Sequence, residues 1–520
     1  MEKKASFKPY EQHQLSLFPV DIDTLIPENH MVRVVDRAIE SMNTQLLFDR
    51  YPGGGTSAYN PVMMLKVIVY AYADKIYSSR KIAKATRENI NFMWLTGRVQ
   101  LDFMTINRFR SERLKGLIDD IFTEVVDLLL QEGYIKFENY FMDGTKIEAN
   151  AGKYSWVWGK NTARYKENLR KKVAEHLSVI SIIEQEENSE YQNSDLPEMG
   201  NGKPINSESI REAAAKINER LSENPADKEL KKAQKAIEKD YLPRMEKYER
   251  QEEILAERRS YSKTDTDATF MRMKEDHMKN GQLKPGYNVQ MGTENQFVTG
   301  YSIHQHPDDT RCMKEHLKQL KELHGRLPDT ITADAGYGSE ENYEFLESEQ
   351  IEHYVKYNTF HKEKSKKWQK DVTRVQSWQY VSERDEYICG NNRSLIFQYE
   401  KKQCSDNGYE STIRVYECEE CADCIYREKC VKSINPNANR RIYINRRLNE
   451  LKGIAKCNLD SEKGKEKRSK RPVEAESVFG DIKGNFGARR FLLRGLEKVK
   501  IEWGLYSFAH NMRKMSAARG

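Results

Sequence analysis

Three acidic residues stand in local sequences that could support metal-dependent chemistry. Asp143 follows the apolar run Tyr-Phe-Met and precedes a glycine, Asp334 lies in Thr-Ala-Asp-Ala-Gly-Tyr-Gly, and Glu476 lies in Glu-Ser-Val-Phe-Gly. Carboxylate oxygens are preferred ligands of Mg²⁺, and two such ions can activate an attacking hydroxyl group and stabilise a departing oxygen at a phosphate. If folding brings the three acids together, they can form a carboxylate cage for two divalent ions.

Two of the acids are predicted to follow buried strands. Residues 140–142 are apolar, so Asp143 should emerge where a strand ends, and Gly144 should allow another group to approach the backbone closely. Residues 330–333 form a short β-rich run before Asp334, and a glycine turn and a helix follow. A single acid after a strand is usually a solvated turn residue. Three acids in such settings, in this order, favour a shared site.

The third acid is predicted to lie on a helix. Residues 473–483 have a helical pattern, and Lys483 lies seven positions after Glu476, two turns further along the same face. Such a helix can present an acid to a metal ion and a lysine to a phosphate. Glu474 is the competing third acid, but it lacks the Phe-Gly spacing that follows Glu476 and has no lysine seven residues on. We therefore prefer Glu476.

With these motifs the chain resembles the bacterial insertion-sequence transposases of the DDE type, which have an RNase H-like catalytic core. The resemblance implies that Asp143, Asp334 and Glu476 are catalytic, that they bind two Mg²⁺ or Mn²⁺ ions, and that Lys483 contacts DNA. The family often places an arginine shortly before the glutamate, and Arg471 is the nearest match. The resemblance extends over most of the chain and is carried by residues 101–110, 143–146, 333–338, 471–483 and 489–511.

The resemblance also implies the fold class. We expect a mixed α+β or α/β protein whose RNase H-like core is a mixed five-stranded sheet flanked by helices. We also expect an N-terminal helix-turn-helix-like domain, a charged helical insertion and a small cysteine-rich module. A chain of 520 residues is long enough for about three or four such units. The predicted boundaries are 1–134 for the N-terminal DNA-binding domain, 135–159, 261–375 and 446–520 for the catalytic core, 160–260 for the insertion and 376–445 for the cysteine-rich module.

The N-terminal region predicts a small bundle of helices that binds DNA. Asn60, followed by proline, predicts the start of an amphipathic helix that continues through Tyr72. Ser78 or Ser79 is expected to cap a second helix and Thr105 a third. Short helices with basic residues are typical of such domains, although small bundles with surface arginines are common. The basic residues expected to face DNA here are Arg80, Lys81, Arg108 and Arg110.

Positive charge is concentrated in the C-terminal part of the chain. Residues 431–520 contain 22 Lys and Arg against 9 Asp and Glu, whereas residues 1–430 contain 64 against 71. A basic block that also carries the third acid would attract a phosphate-rich substrate. The residues expected to position its phosphates are Lys483, Arg471, Arg489 and Arg490.

Bulk composition excludes a membrane protein. The mean hydropathy is −0.84. The most apolar stretch, residues 62–73, is interrupted by Lys66 and is shorter than the roughly twenty residues that span a bilayer. No secretion signal is recognisable at the N-terminus, so we expect a cytoplasmic protein that associates with the nucleoid when bound to DNA.

The long interval between the first two acids predicts additional structure. Residues 160–259 are highly charged and predict an inserted helical hairpin, in which Pro243 bends or ends one helix and residues 192–203 form the tip. This insertion could contact DNA or a second subunit, or serve as a charged spacer. After it, residues 287–291 and 297–301 predict a β-hairpin of the catalytic sheet.

Cysteines provide a second chemical signal. The cytoplasm keeps thiols reduced, so their clustering favours a metal site over disulfides, with unligated thiols as the alternative. Four thiolates suit tetrahedral Zn²⁺. The spacing of the cysteines fits an iron–sulfur cluster less well, because five residues separate the last two cysteines of the cluster and no proline follows the last one. Cys389 and Cys404 lie further upstream, so the set of four ligands stays open. The first candidates are Cys418, Cys421, Cys424 and Cys430.

Together these features and the resemblance imply a DNA transposase. It would bind the terminal inverted repeats of an insertion sequence, cut a strand and join the freed 3′-hydroxyl to target DNA. We expect self-association on DNA, because transposases usually pair two ends. Two alternatives stay open: a transposase-derived DNA-binding regulator without catalysis, and an RNase H-like nuclease that cuts without joining. Retention of all three acids argues against the regulator.

Overall fold

A computed structural model of the chain describes residues 21–51, 57–190, 205–223, 225–273, 282–435 and 437–519. The N-terminal part is helical, as predicted, and Asn60 caps α3 by accepting the N–H groups of Val62 and Met63. Asp102, rather than the predicted Thr105, caps α6. The helices are α1 (Met31–Ser41), α2 (Gln45–Phe48), α3 (Pro61–Ala73), α4 (Ser79–Glu88), α5 (Ile90–Leu95), α6 (Phe103–Arg108) and α7 (Ile118–Gln131).

A charged insertion follows the first strand of the catalytic core. The described residues of the insertion form four helices rather than one hairpin, and apolar side chains of these helices form a separate hydrophobic cluster. Pro243 lies in the first turn of α11, directly after a π-helical turn, so the helix is interrupted where the proline predicts. The predicted tip, residues 192–203, lies outside the described residues. The elements are β1 (Asn139–Glu148), β2 (Trp156–Trp158), α8 (Gly159–Glu190), α9 (Ser207–Glu223), α10 (Lys228–Ala236), α11 (Leu242–Leu255) and β3 (Ser260–Ser262).

The remaining strands of the core assemble around β1. They and their helices are β4 (Thr269–Arg272), β5 (Leu283–Glu294), β6 (Phe297–His304), α12 (Asp309–His324), β7 (Thr330–Ala333), α13 (Glu340–Ser348) and β8 (Glu352–Val355). β1 pairs antiparallel with β5 and parallel with β7, while β6 lies outside β5 and β8 outside β7. These are the order and directions of an RNase H-like sheet. The five predicted strands and the β5–β6 hairpin are present, and β4 adds a short sixth strand beside β5.

A second, smaller sheet follows the core. Its five strands run in the order β13-β12-β11-β10-β9, and all neighbours are antiparallel. The elements are α14 (Lys366–Gln369), β9 (Gln379–Val381), β10 (Glu386–Ile388), β11 (Ser394–Cys404), β12 (Glu410–Cys418), α15 (Arg427–Cys430) and β13 (Arg441–Ile444). We call this unit the cysteine module, because it contains the predicted cysteine cluster.

The chain ends in helices that return to the core. They are α16 (Arg446–Asp460), α17 (Glu462–Arg471), α18 (Ser477–Gly480) and α19 (Leu496–Arg519). Because α1 and α19 both pack against α3, α3 is buried on almost every side, not on one face as predicted. Its charged residue Lys66 is accommodated by ion pairs with Asp36, at 2.7 Å, and with Glu40. Within the described ranges no helix has the length and apolar character needed to cross a membrane.

Candidate active site

Asp143 and Asp334 lie where the two central strands of the sheet separate. β1 pairs with β7 only over its first three residues and parts from it just before Asp143. β1 then continues alongside β5 to Glu148, so the prediction that the strand ends at Asp143 was wrong. Asp334 directly follows β7 and caps a single 3-10 turn, in which Oδ1 accepts the N–H of Gly336 at 2.8 Å. The two acids therefore share one edge of the sheet.

Glu476 approaches the two aspartates from an irregular helix. The chain is helical from residue 462 to 485, but two π-helical turns, Pro472–Glu476 and Asp481–Asn485, interrupt it. π-helical turns often occur at functional sites, where the additional residue changes the direction of the side chains. The predicted helix is therefore present. Because of these turns, Glu476 and Lys483 are not related by two regular α-helical turns.

One guanidinium group connects the three acids. Arg471 Nη2 lies 2.9 Å from Asp143 Oδ1 and 3.8 Å from Asp334 Oδ2, and its Nη1 lies 3.1 Å from Glu476 Oε1. The side chains of Arg471 and Asp143 are only 8% and 10% exposed. A buried guanidinium offsets the repulsion among nearby carboxylates. The fold thus brings the three predicted acids together, and Arg471, which we expected to position a phosphate, contacts them.

The competing acid Glu474 points elsewhere. Its Oε2 accepts the N–H of Gln296 at 2.6 Å, in the turn between β5 and β6. Burial raises the pKa of the Glu474 carboxyl group. A carboxylate held in this way supports the turn, so the geometry favours Glu476 as the third acid of the cage.

A fourth acid, which we did not predict, lies beside the cage. Asp309 begins α12, and its Oδ1 accepts hydrogen bonds from the side-chain amides of Asn288, at 2.8 Å, and Gln290, at 3.0 Å. A Cβ atom on Gly144 would lie 2.5 Å from Gln290 Nε2 and 2.8 Å from Asp309 Oδ1. A larger residue would have to displace these side-chain ends, so Gly144 permits the close approach that the sequence predicts. The sequence signal for Asp309, an acid at the start of a helix, is too common to identify a site.

The charges of these acids also act on Tyr337. This side chain is fully buried, and its hydroxyl donates to Gln290 Oε1. Burial, followed by the negative charges of Asp309, Asp143 and Asp334, raises the pKa of Tyr337 well above its ordinary value. The hydroxyl therefore keeps its proton. It fixes the Gln290 amide with its nitrogen directed at Asp309.

The donor set of the cage fits a hard divalent cation. All three acids supply oxygen ligands, which suit Mg²⁺ and Mn²⁺. The contact with a guanidinium shows that the cage accommodates positive charge. Within the described parts of the chain, no group of three or more His, Cys, Asp or Glu side chains is gathered closely enough to hold a metal ion. The guanidinium of Arg471 contacts all three carboxylates.

The basic residues predicted for the N-terminal helices fall into two groups. Arg80 and Lys81 are exposed on α4, and Arg108 is exposed at the end of α6. Arg110 is only 5% exposed, and its Nη1 donates to the carbonyl of Tyr77 at 2.7 Å. The prediction of an exposed Arg110 that contacts DNA was therefore wrong. α6 runs into a π-helical turn, and Arg110 is directed into the protein.

Two of the predicted C-terminal basic residues lie in the loop between the irregular helix and α19. Arg490 donates to the carbonyl groups of Ala149 and Ala151, just beyond β1, at 3.2 and 3.4 Å. These bonds fasten the loop to the strand that carries Asp143. Arg489 is exposed beside it, and Lys483 is half-buried in the second π-helical turn.

Five cysteines line one small cavity in the cysteine module. The four predicted ligands are among them. The fifth is Cys389, which lies further upstream in the sequence and is brought to the cavity by the order of the strands. Cys404 and Cys457 are exposed in other places. The cysteines of the cavity are Cys389, Cys418, Cys421, Cys424 and Cys430.

Two protein-family models match the chain. One, described as a transposase DDE domain, matches residues 388–516, and the other, described as a transposase domain, matches residues 20–112. The first match contains Arg471, Glu476 and the cysteine cluster, whereas Asp143 and Asp334 lie outside both matches. No curated protein and no solved structure matches the chain significantly. Together with the RNase H-like sheet, the two family matches support an insertion-sequence transposase of the DDE type.

Proposed function

We propose that this protein cleaves the ends of an insertion sequence and joins them to target DNA, with Asp143, Asp334 and Glu476 as its catalytic acids. The contact of all three acids with Arg471 is the observation that carries this proposal. Three carboxylates held together repel one another, so such a cluster is favourable only where positive charge binds. Clusters of this kind are typical of functional sites. The family relationship supplies the class of reaction.

The chemistry follows from the positions of the acids. Two Mg²⁺ or Mn²⁺ ions, when bound, would activate water and later the freed 3′-hydroxyl, and would stabilise the departing 3′ oxygen. Asp143 and Asp334 would hold them at the edge where β1 and β7 separate, and Glu476 would complete the ligand set. Arg471 would turn away from the acids when the ions bind. Its guanidinium could then pair with a phosphate, as the family resemblance implies.

The basic residues of the C-terminal region and of the N-terminal helices would hold the DNA. Lys483, Arg489 and Arg490 follow the third acid along the chain, and their contacts would fix the phosphate backbone relative to the cage. Arg80, Lys81 and Arg108 would belong to the helices that contact the terminal repeats. Because two transposon ends must be paired, we expect at least a homodimer on DNA.

Substitution of the aspartates tests the proposal. Asp143→Asn and Asp334→Asn should abolish cleavage of transposon-end DNA, because an amide is a poorer ligand for Mg²⁺ than a carboxylate, and should leave DNA binding largely intact. Asp120→Asn is a matched control, since Asp120 is an exposed acid on α7. Cleavage at the parental rate by the Asp143 and Asp334 variants would show that these acids are not catalytic.

A strand-transfer assay separates the proposal from its alternatives. A labelled terminal repeat is incubated with a supercoiled target, Mg²⁺ and the full-length protein, and joined products are resolved from cut ones. Joined products support a transposase. Cutting without joining would indicate a nuclease, and binding without cutting would indicate a DNA-binding regulator.

A further inference from the structure

The cysteine cavity takes no part in the chemistry proposed for the acid cage. Its volume is about 20 Å³, which is room for a single ion and too little for an organic ligand. The thiols reach it from three places in the module. Cys389 follows β10, Cys418 ends β12, and the other three lie in the segment between β12 and β13. The strand order β12-β11-β10 brings the first two together across one strand.

Tight turns present the thiols on both sides of the cavity. On one side, the N–H of Cys389 donates to the carbonyl of Arg393, and the carbonyl of Cys389 accepts the N–H of Asn392, both at 2.9 Å. On the other side, the N–H of Arg427 donates to the carbonyl of Cys424 at 2.9 Å. A tetrahedral ion bound by thiolates needs ligands from opposite sides, and pairs of tight turns supply them in structural zinc sites.

Hydrogen bonds at sulfur distinguish Cys418 from Cys421. Cys421 Sγ accepts the backbone N–H of Arg440 at 3.4 Å, which is an interaction that would also stabilise a thiolate. Cys418 Sγ instead donates to the carbonyl of Glu420 at 3.5 Å. A metal ligand must lose its proton, so Cys418, whose thiol donates to a carbonyl group, is a poorer ligand than Cys421, whose sulfur accepts an N–H.

The module has little apolar material besides the cysteines. Its hydrophobic cluster contains the buried residues Trp378, Leu395, Tyr416, Ile442 and Ile444, together with Cys418 and Cys421. Most of β11 is exposed. Small sheets with so small a core generally need a disulfide or a metal ion for stability.

We infer that the cavity is a structural Zn²⁺ site whose four ligands are Cys389, Cys421, Cys424 and Cys430, while Cys418 lies outside the ligand set. Each ligand would release its thiol proton to solvent on binding. In the described parts of the chain no three thiols are yet close enough to share an ion, so their side chains would turn towards the cavity. This inference replaces Cys418 of the sequence prediction with Cys389. It does not depend on transposase activity.

The zinc content of the full-length protein and of single Cys→Ser variants tests the ligand set. We expect about one Zn²⁺ per chain in the parent protein, and near-complete loss in Cys389→Ser, Cys421→Ser, Cys424→Ser and Cys430→Ser. Cys418→Ser should keep its zinc. Cys404→Ser and Cys457→Ser are matched controls, because both residues are exposed away from the cavity.

A second measurement distinguishes loss of a zinc ligand from loss of zinc through misfolding. Co²⁺ added to the zinc-free parent protein should give the intense thiolate-to-cobalt absorption of a four-sulfur site. That absorption should be weakened in Cys389→Ser and unchanged in Cys418→Ser. The inference is overturned if the parent protein carries no zinc or carries iron with a visible cluster spectrum. It is also overturned if Cys389→Ser retains full zinc or Cys418→Ser loses it.

Discussion

The acid cage and the cysteine cavity each gather ligand groups of one type, but the fold builds them in opposite ways. The cage joins distant parts of the chain, since Arg471 and Asp143 are 328 positions apart. All five cysteines of the cavity lie between residues 389 and 430. The cage stands on β1, the central strand of the large sheet, whereas the cavity lies in a small sheet with few buried apolar residues.

The two sites should differ in whether they persist without a bound metal ion. In the cage, the large hydrophobic core fixes the positions of the acids, and Arg471 supplies positive charge from the chain itself. In the cavity, Arg393, Arg427 and Arg440 also lie among the lining residues, but the surrounding core is small. We therefore expect the fold to preserve the acid cage when metal is withdrawn, and the cysteine module to need its ion to fold.

Removal of zinc should produce the largest difference between the two sites. Structural Zn²⁺ contributes on the order of 10 kcal/mol to small domains, so a strong zinc chelator should unfold the cysteine module. Hydrogen–deuterium exchange of the full-length protein should show loss of amide protection in β11 and β12. Protection in β1 and β5 should be unchanged, because these strands belong to the large core.

Readdition of metal provides the control. Zn²⁺ should restore protection of β11 and β12, whereas Mg²⁺, which prefers oxygen ligands, should not. If both strands keep full protection in the chelator, the small core suffices for folding, and the contrast between the two sites disappears.

Substitution of the third acid of the cage should have the next largest effect. Glu476→Gln should reduce cleavage by roughly a thousandfold or more, since a metal ligand stabilises the transition state by several kcal/mol. Glu474→Gln is the matched control two residues away. Its carboxylate bonds to the N–H of Gln296, so this variant should lose stability and retain cleavage within about tenfold. The cleavage rates of both variants should be measured at a temperature where both are folded. If Glu474→Gln loses more cleavage activity than Glu476→Gln, Glu474 is the third acid.

Much of the fold could be predicted because its signals are local. The β5–β6 hairpin, the start of α3 at Asn60 and the short strand before Asp334 all depend on patterns within a few residues. The end of β1 could not be predicted in this way. β1 continues past Asp143 because β5, which lies far away in the sequence, pairs with it to Glu148.

The parts of the sites that sequence missed depend on contacts between distant segments. Arg471 has a basic side chain in a basic stretch, so nothing local reveals that it faces three acids. Arg110 looked exposed because the π-helical turn after α6 has no clear sequence signal. Asp309 joins its site through side-chain hydrogen bonds between α12 and β5, and Cys389 joins the cavity through strand pairing in the smaller sheet.

Loss of the Arg471 charge should have the smallest of these effects. Arg471→Met would leave the buried Asp143 carboxylate without its cation, and removing one partner of a buried ion pair costs about 3–5 kcal/mol. Saturating Mg²⁺ should restore part of this stability, because divalent cations would replace the guanidinium in the cage. Thermal unfolding of the parent and the variant, each with and without Mg²⁺, would measure both effects.

Arg447→Met is the matched control for this substitution. Arg447 also contacts three acids, Glu344, Glu347 and Glu450, but its side chain is 40% exposed, so its loss should cost at most about 1 kcal/mol and should give no additional response to Mg²⁺. If Arg471→Met is as stable as the parent and gains nothing more from Mg²⁺, its guanidinium does not compensate the acids. Arg471 would then not act as the internal cation of the cage.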